Sequence, residues 1–239
     1  MKRALVFLVV GACGASGTRA PQVTQPIVGG GVDNALAELL EGRFGSARTE
    51  SERALAANHA DARAAAVHAI TVFQETMHEL ITTLLRVGDE ARDGFDHAAV
   101  RAALEATDRG LATVDADLVM VVADRGFSLD LCLACIKHDW NRNGRVDDRD
   151  ARLFQIEIDD KGEELPDNDP RRKPTFRFDV GDAHWARAMV SFGRAVIHLA
   201  LAYKWTELDK ALASIFGPAP LMRIPLDDKT HIARARDLI

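Results

Sequence analysis

The residues best suited to chemistry lie in the run DWNRNGRVDDRD at 139–150. Asp139, Asn141, Asn143, Asp147 and Asp150 place oxygen-bearing side chains at positions 1, 3, 5, 9 and 12 of that run. Gly144 stands at position 6, where a loop of this kind turns sharply, and Arg145 at position 7 offers its main-chain carbonyl. A hard divalent cation needs six to eight oxygens around it, and alternating side chains on a tight loop supply them. Three carboxylates with two amides suit Ca²⁺ of modest affinity, in the range of about 10⁻⁴ to 10⁻³ M found for extracellular modules. The acidic stretch DDKGEELPDND at 159–169 lacks this spacing. A lone site of this kind points to a structural calcium rather than a sensor. The plainer alternative is an Asx-rich turn that holds no ion.

Other constellations carry less. Cys132 and Cys135 form a CxxC pair, which can be a local disulfide, a redox centre or half of a zinc site. The βαβ context of a redox motif is missing, a second ligand pair for zinc is absent, and Ile136 stands where haem attachment needs His. Glu75 and His78 have the ExxH spacing of di-iron bundles but lack a second such motif, so with Glu79 they read as a solvated face. No GxSxG, P-loop, HExxH or dinucleotide fingerprint is present. No catalytic residue is assigned, and the chain is not expected to be an enzyme.

The 139–150 run resembles an EF-hand loop and, with Asp at its last position, still more the calcium repeat of dockerins. At the N-terminus, Lys2 and Arg3 precede an apolar stretch, Ala4 to Val10, of the kind that opens a secretory signal. Val10-Gly11-Ala12-Cys13 then resembles the lipobox of bacterial lipoproteins. That resemblance implies acylation of Cys13, membrane attachment through the lipid and, with Gly14 following, the outer membrane facing the periplasm. Cleavage near Ala15-Ser16-Gly17 with release of a soluble protein is the competing reading. A lipidated Cys13 would leave Cys132 and Cys135 as an even pair in an oxidising compartment.

These residues need a scaffold, and the pattern from Asn34 onward supplies helices. Residues 36–70 resemble one tetratricopeptide unit: Leu39, Leu40, Gly42 and Phe44 close the first helix. Ala47, Ala54 and Leu55 lie on the second, and Asn58 to Asp61 turn into the next. One unit cannot bury its own face, so the later helices are expected to stack on it in divergent form. Apolar residues at helical spacing mark 60–87, with Gly88 as the expected stop. A second stripe marks 97–123, with a break expected at Asp115 or Asp117. A short helix is expected over 128–137. A long one over 182–216 carries Trp185, Met189, Phe192, Val196, Leu199, Tyr203 and Leu208, with Asp182 as its N-cap. PTFRFDV at 174–180 is a short extended edge, and 159–173, including Arg171, Arg172 and Lys173, reads as a solvent loop.

The predicted organisation is a signal peptide over 1–12, then a lipid anchor and flexible tether over 13–33, rich in Gly, Pro, Ser and Thr. A single all-α domain follows over 34–239: repeat-like helices at 34–126, a calcium-loop helix pair at 127–158 and the long helix region at 182–216. The chain has 239 residues and a net charge of −6, which argues against nucleic acid as a partner. No apolar run reaches the length of about 18 to 20 residues that a membrane-spanning helix needs. The expected function is that of a cell-envelope lipoprotein, a non-enzymatic binding or scaffold module for a protein or peptide partner. Alternatives are a solute-uptake component holding a small apolar ligand and a CxxC redox or metal protein.

Overall fold

The computed structural model describes residues 31–90, 96–139, 145–147, 150 and 152–203. Mostly helical, it contains α1 (Val32–Leu40), α2 (Phe44–Ala57), α3 (Ala62–Glu90), α4 (His97–Ala123) and α5 (Val180–Leu201). A two-stranded sheet, β1 (Ser128–Leu131) and β2 (Phe176–Asp179), sits before α5. The expected signal, anchor and tether up to residue 30 lie outside the described residues, as do residues 204–239; the last helix, expected over 182–216, ends at Leu201 with Ala202 as its C-cap.

Each helix starts or stops for a local reason. The turn from α1 to α2 passes through Gly42 at φ 72°, and a Cβ there would collide with the Lys137 carbonyl. Only glycine combines that left-handed backbone with so close an approach. Phe44 therefore begins α2 and does not close α1. Asp61 receives the backbone N–H of Arg63 and Ala64 on its carboxylate, satisfying two orphan donors at the start of α3. Asp96 does the same for Ala99 at the start of α4. At α5 the cap is Asp179, not Asp182. Asp179 accepts from Gly181 and Asp182 N–H, and Asp182 reaches back to the Asp179 N–H at 2.9 Å, a reciprocal capping box.

Small residues set the packing. α3 buries Ala62, Ala64, Ala65, Ala66 and Ala69 along its first half, so α2 and α4 approach it closely. Gly110 of α4 is pressed against Thr76 of α3, where an added Cβ would lie 2.2 Å from Oγ1. The main core joins Val72, Leu111, Val114, Leu118, Val190 and Ile197 across α3, α4 and α5. A second cluster, Ala35, Leu39, Ala47, Val67 and Leu131, ties α1 and α2 to α3 and β1.

Several elements depart from the sequence expectations. Residues 128–137 form no α-helix: Leu129 and Leu131 point inward, Asp130 outward, and β1 pairs antiparallel with β2 in the register Ser128↔Asp179 to Leu131↔Phe176. A 3₁₀ turn, Leu133–Cys135, follows. The period-two alternation of SLDL needed a partner strand, and 174–180 supplied it. The entering member of the expected calcium-loop helix pair is accordingly not an α-helix; on the leaving side, among the described residues, Asp150 is helical and Arg152–Phe154 form a 3₁₀ turn. α3 does not stop at Gly88 but runs to Glu90, since one helical glycine costs only about 1 kcal/mol. α4 is unbroken at Asp115 and Asp117 because both carboxylates are paired with neighbouring helices.

Candidate functional site

The entering flank of the 139–150 run is held by the fold, and its leaving end is buried. On the entering side the Lys137 N–H donates to the Leu40 carbonyl at 2.8 Å, and its Nζ meets both Glu41 carboxylate oxygens at 2.9 and 3.0 Å. The His138 ring stacks edge-on against Phe44, with centroids 4.8 Å apart. The turn between α1 and α2 thus fixes the chain one residue before Asp139. On the leaving side Asp150 is only 2% exposed. Its Oδ2 accepts the Asp147 N–H at 2.9 Å, while its own N–H donates to the Asp147 carbonyl at 3.1 Å. Arg145, Val146 and Asp147 are exposed. Asn141, Asn143 and Gly144 lie outside the described residues. Among the described residues no group of three or more His, Cys, Asp or Glu side chains converges as a metal site. The donors at 139, 147 and 150 are all carboxylates, which by chemistry fit a hard cation rather than a thiophilic one.

Cys132 and Cys135 are joined as a disulfide with their Cα atoms 5.2 Å apart. As a disulfide the pair supplies no thiolate to zinc. It staples the step from β1 into the 3₁₀ turn that leads to Lys137. Cys13 lies outside the described residues.

Arg172, expected on a solvent loop, is 5% exposed. Its guanidinium donates to the Leu165 carbonyl at 3.1 Å, pairs with Asp167 and reaches Glu157 at 3.8 Å. Its carbonyl accepts the Ile156 N–H. One long cation therefore pins both arms of the loop at 155–173 through its two terminal nitrogens, Nη1 on Leu165 and Asp167 and Nη2 near Glu157, a span that lysine's single ammonium cannot copy. Arg171 and Lys173 are exposed, as expected of that loop. Glu75 is not free on a solvated face but pairs with Arg48 of α2 at 3.1 Å, whereas His78 and Glu79 are exposed.

The sequence reading missed the buried ion pairs. His68 of α3 is 7% exposed; its Nδ1 lies 2.8 Å from Asp117 Oδ2 of α4, and its Nε2 lies 3.4 Å from Glu52 Oε1 of α2. The hydrogen bond to Asp117 raises the imidazole above its ordinary pKa, against the opposing effect of burial. Arg48 holds the Glu52 carboxyl below its usual range. Across the next interface, Arg194 of α5 donates to Asp108 at 2.9 Å, and His198, 1% exposed, lies 3.2 Å from the same oxygen. Arg187 meets Asp115 at 2.8 Å.

Between α3 and α4 a groove of about 340 Å³ is lined by Thr76, Glu79, Leu80, Thr83 and Arg86 on one side and by Ala99, Ala102, Ala103, Ala106 and Thr107 on the other. This mixed lining is not an apolar chamber. Among the described residues no helix is long and apolar enough to cross a membrane. Compared with models of protein families, with curated proteins and with solved structures, the chain matches none.

Proposed function

We propose that this chain is a non-enzymatic helical binding module of the bacterial cell envelope, attached to the membrane through a lipid on Cys13 and braced by one structural Ca²⁺ at residues 139–150. Asp139, Asn141, Asn143, Asp147 and Asp150 would hold the ion with their side-chain oxygens, and Arg145 with its carbonyl. The observation that carries the reading is Asp150: a carboxylate only 2% exposed at the last position of an oxygen-alternating run. A buried negative charge is costly unless a cation or donors compensate it. The Asp147 N–H already donates to this carboxylate; a bound ion would add a cation to that compensation and would cross-link the two flanks. Since the entering flank is fixed on Leu40, Glu41 and Phe44, the brace extends to the α1–α2 hairpin.

The binding role rests on architecture. Helical hairpins stacked around a common core offer broad surfaces to a protein or peptide. The mixed lining of the α3–α4 groove gives no support to a small apolar ligand as cargo. The disulfide supports a stapling role for Cys132 and Cys135 over a metal-binding one.

The experiment uses Trp140, the second residue of the run, as an antenna for terbium. Luminescence excited through the indole should rise on adding Tb³⁺ and fall as Ca²⁺ displaces it. Replacement of Asp139 by Ala should abolish the signal. Terbium emission that is absent, or insensitive to calcium, contradicts the calcium site.

A further inference from the structure

α5 carries two apolar faces, and the fold covers one. Val190, Ile197 and Leu201 pack toward α4. About 140° around the helix from these, at about 3.6 residues per turn, lie Trp185, Met189, Phe192, Val196 and Leu199. Their spacing alternates four and three residues, which is the seam that a second helix fills with knobs in holes. Trp185, Phe192, Val196 and Leu199 are 43%, 54%, 50% and 48% exposed. Ala188 on one side of the seam and Ala200 on the other are small, so they do not obstruct a chain laid along it. A helix apolar on opposite faces belongs inside a protein, between two layers.

We propose that the outer face of α5 is the docking surface for this chain's own residues 204–239. They begin three residues after Leu201, the end of α5, so they are tethered at the edge of the surface they would cover. The sequence there provides complementary apolar residues: Leu208, Leu212, Ile215 and Phe216 in helical spacing, then Ile232, Leu238 and Ile239. Pro218, Pro220 and Pro225 between the two groups break a helix and allow the chain to reverse. The seam positions, Trp185 to Leu199, bear no charge that would steer a separate partner. A short tether, by contrast, gives an effective concentration of order mM. α5 then becomes the central helix of the domain, and the uncovered edge moves to residues 204–239.

The test places a photo-reactive benzophenone amino acid at position 192 of the full chain, with the same probe at exposed Arg53 as a control. The proposal expects cross-links from 192 into peptides of 204–239, with a yield independent of protein concentration from about 1 to about 100 μM, as tethering requires. The probe at 53 should give none to that segment. A covalent dimer from 192 whose yield rises with concentration shows a second copy on the face and overturns the proposal. Absence of any cross-link to 204–239 overturns it equally.

Discussion

His68 and Asp117 meet in the core at 2.8 Å, joining α3 to α4, and Glu52 of α2 lies 3.4 Å from the other ring nitrogen. Three helices thus share one imidazole. The link matters most to α2, which buries only Ala47, Ser51 and Ala54.

Because the folded-state pKa of His68 is raised, the stabilisation is fully present below the ordinary value of about 6.5 and is lost as pH rises through the elevated one. Replacing Asp117 by Asn should therefore cost more near pH 5.5 than near pH 9, on the order of 1 to 3 kcal/mol at the lower pH. Urea midpoints of wild type and variant at the two pH values measure this. Equal losses at both would show that the imidazole does not titrate against Asp117.

Asp108 and Asp115 on α4 meet Arg194 and Arg187 on α5, each pair one heptad from the other. Burial separates their energetic weight. Asp108 is 7% exposed, so replacing Arg194 by Met should cost several kcal/mol, about 3 to 5 where no other cation compensates and less to the extent that His198 does. The Arg187–Asp115 pair is partly solvated, and replacing Arg187 by Met should cost about 0.2 to 1 kcal/mol. Thermal denaturation of the two variants should rank them in that order.

The mostly helical character, the extended edge at 176–179 and the helices that begin near 62 and 97 were legible from periodicity, whereas Phe44, read as a helix end, proved to be a helix start. The ion pairs were not, although their signal was there. Asp108 and Asp115 share a seven-residue step with Arg187 and Arg194, and His68 interrupts an alanine run. A pattern confined to one helix cannot say which partner lies across the interface, so Asp117 read as a break. For α5 the stripe from Trp185 to Leu199 marked a helix but belongs to its outer side, and the helix ends at Leu201 rather than running on to 216. Two apolar faces on one helix leave the inward one undecided until α4 is in place. The strand at 128–131 was hidden for a different reason, since four residues are too few to separate period two from period 3.6.

Arg172 predicts a local effect. Its replacement by Lys should leave the helical circular dichroism intact while trypsin or Glu-C cleavage within 155–173 accelerates several-fold, because a single ammonium cannot hold Leu165, Asp167 and Glu157 together. Unchanged cleavage would place the loop's order elsewhere.

If Cys13 carries lipid, the wild-type chain expressed with its N-terminus should partition into detergent, and the Cys13→Ala variant should appear in the aqueous phase or as unprocessed precursor. Mass spectrometry of the mature N-terminus decides. A terminus beyond Cys13 without lipid contradicts the anchor.

The calcium brace is tested most directly by the melting temperature of wild type and of Asp150→Asn with and without calcium. Asparagine retains an acceptor for the Asp147 N–H but lacks the buried charge, so the local turn survives while the ion site weakens. An ion that binds only the folded state stabilises it by RT ln(1 + [L]/Kd), about 1 to 3 kcal/mol at tens to a hundred times Kd. For a domain of this size that is a rise of several degrees, at about 2 to 4 °C per kcal/mol. The account predicts this rise for wild type at about 10 mM Ca²⁺, a smaller one with Mg²⁺ and none for Asp150→Asn. A wild-type melting temperature that does not move, or that moves equally in the variant, contradicts it.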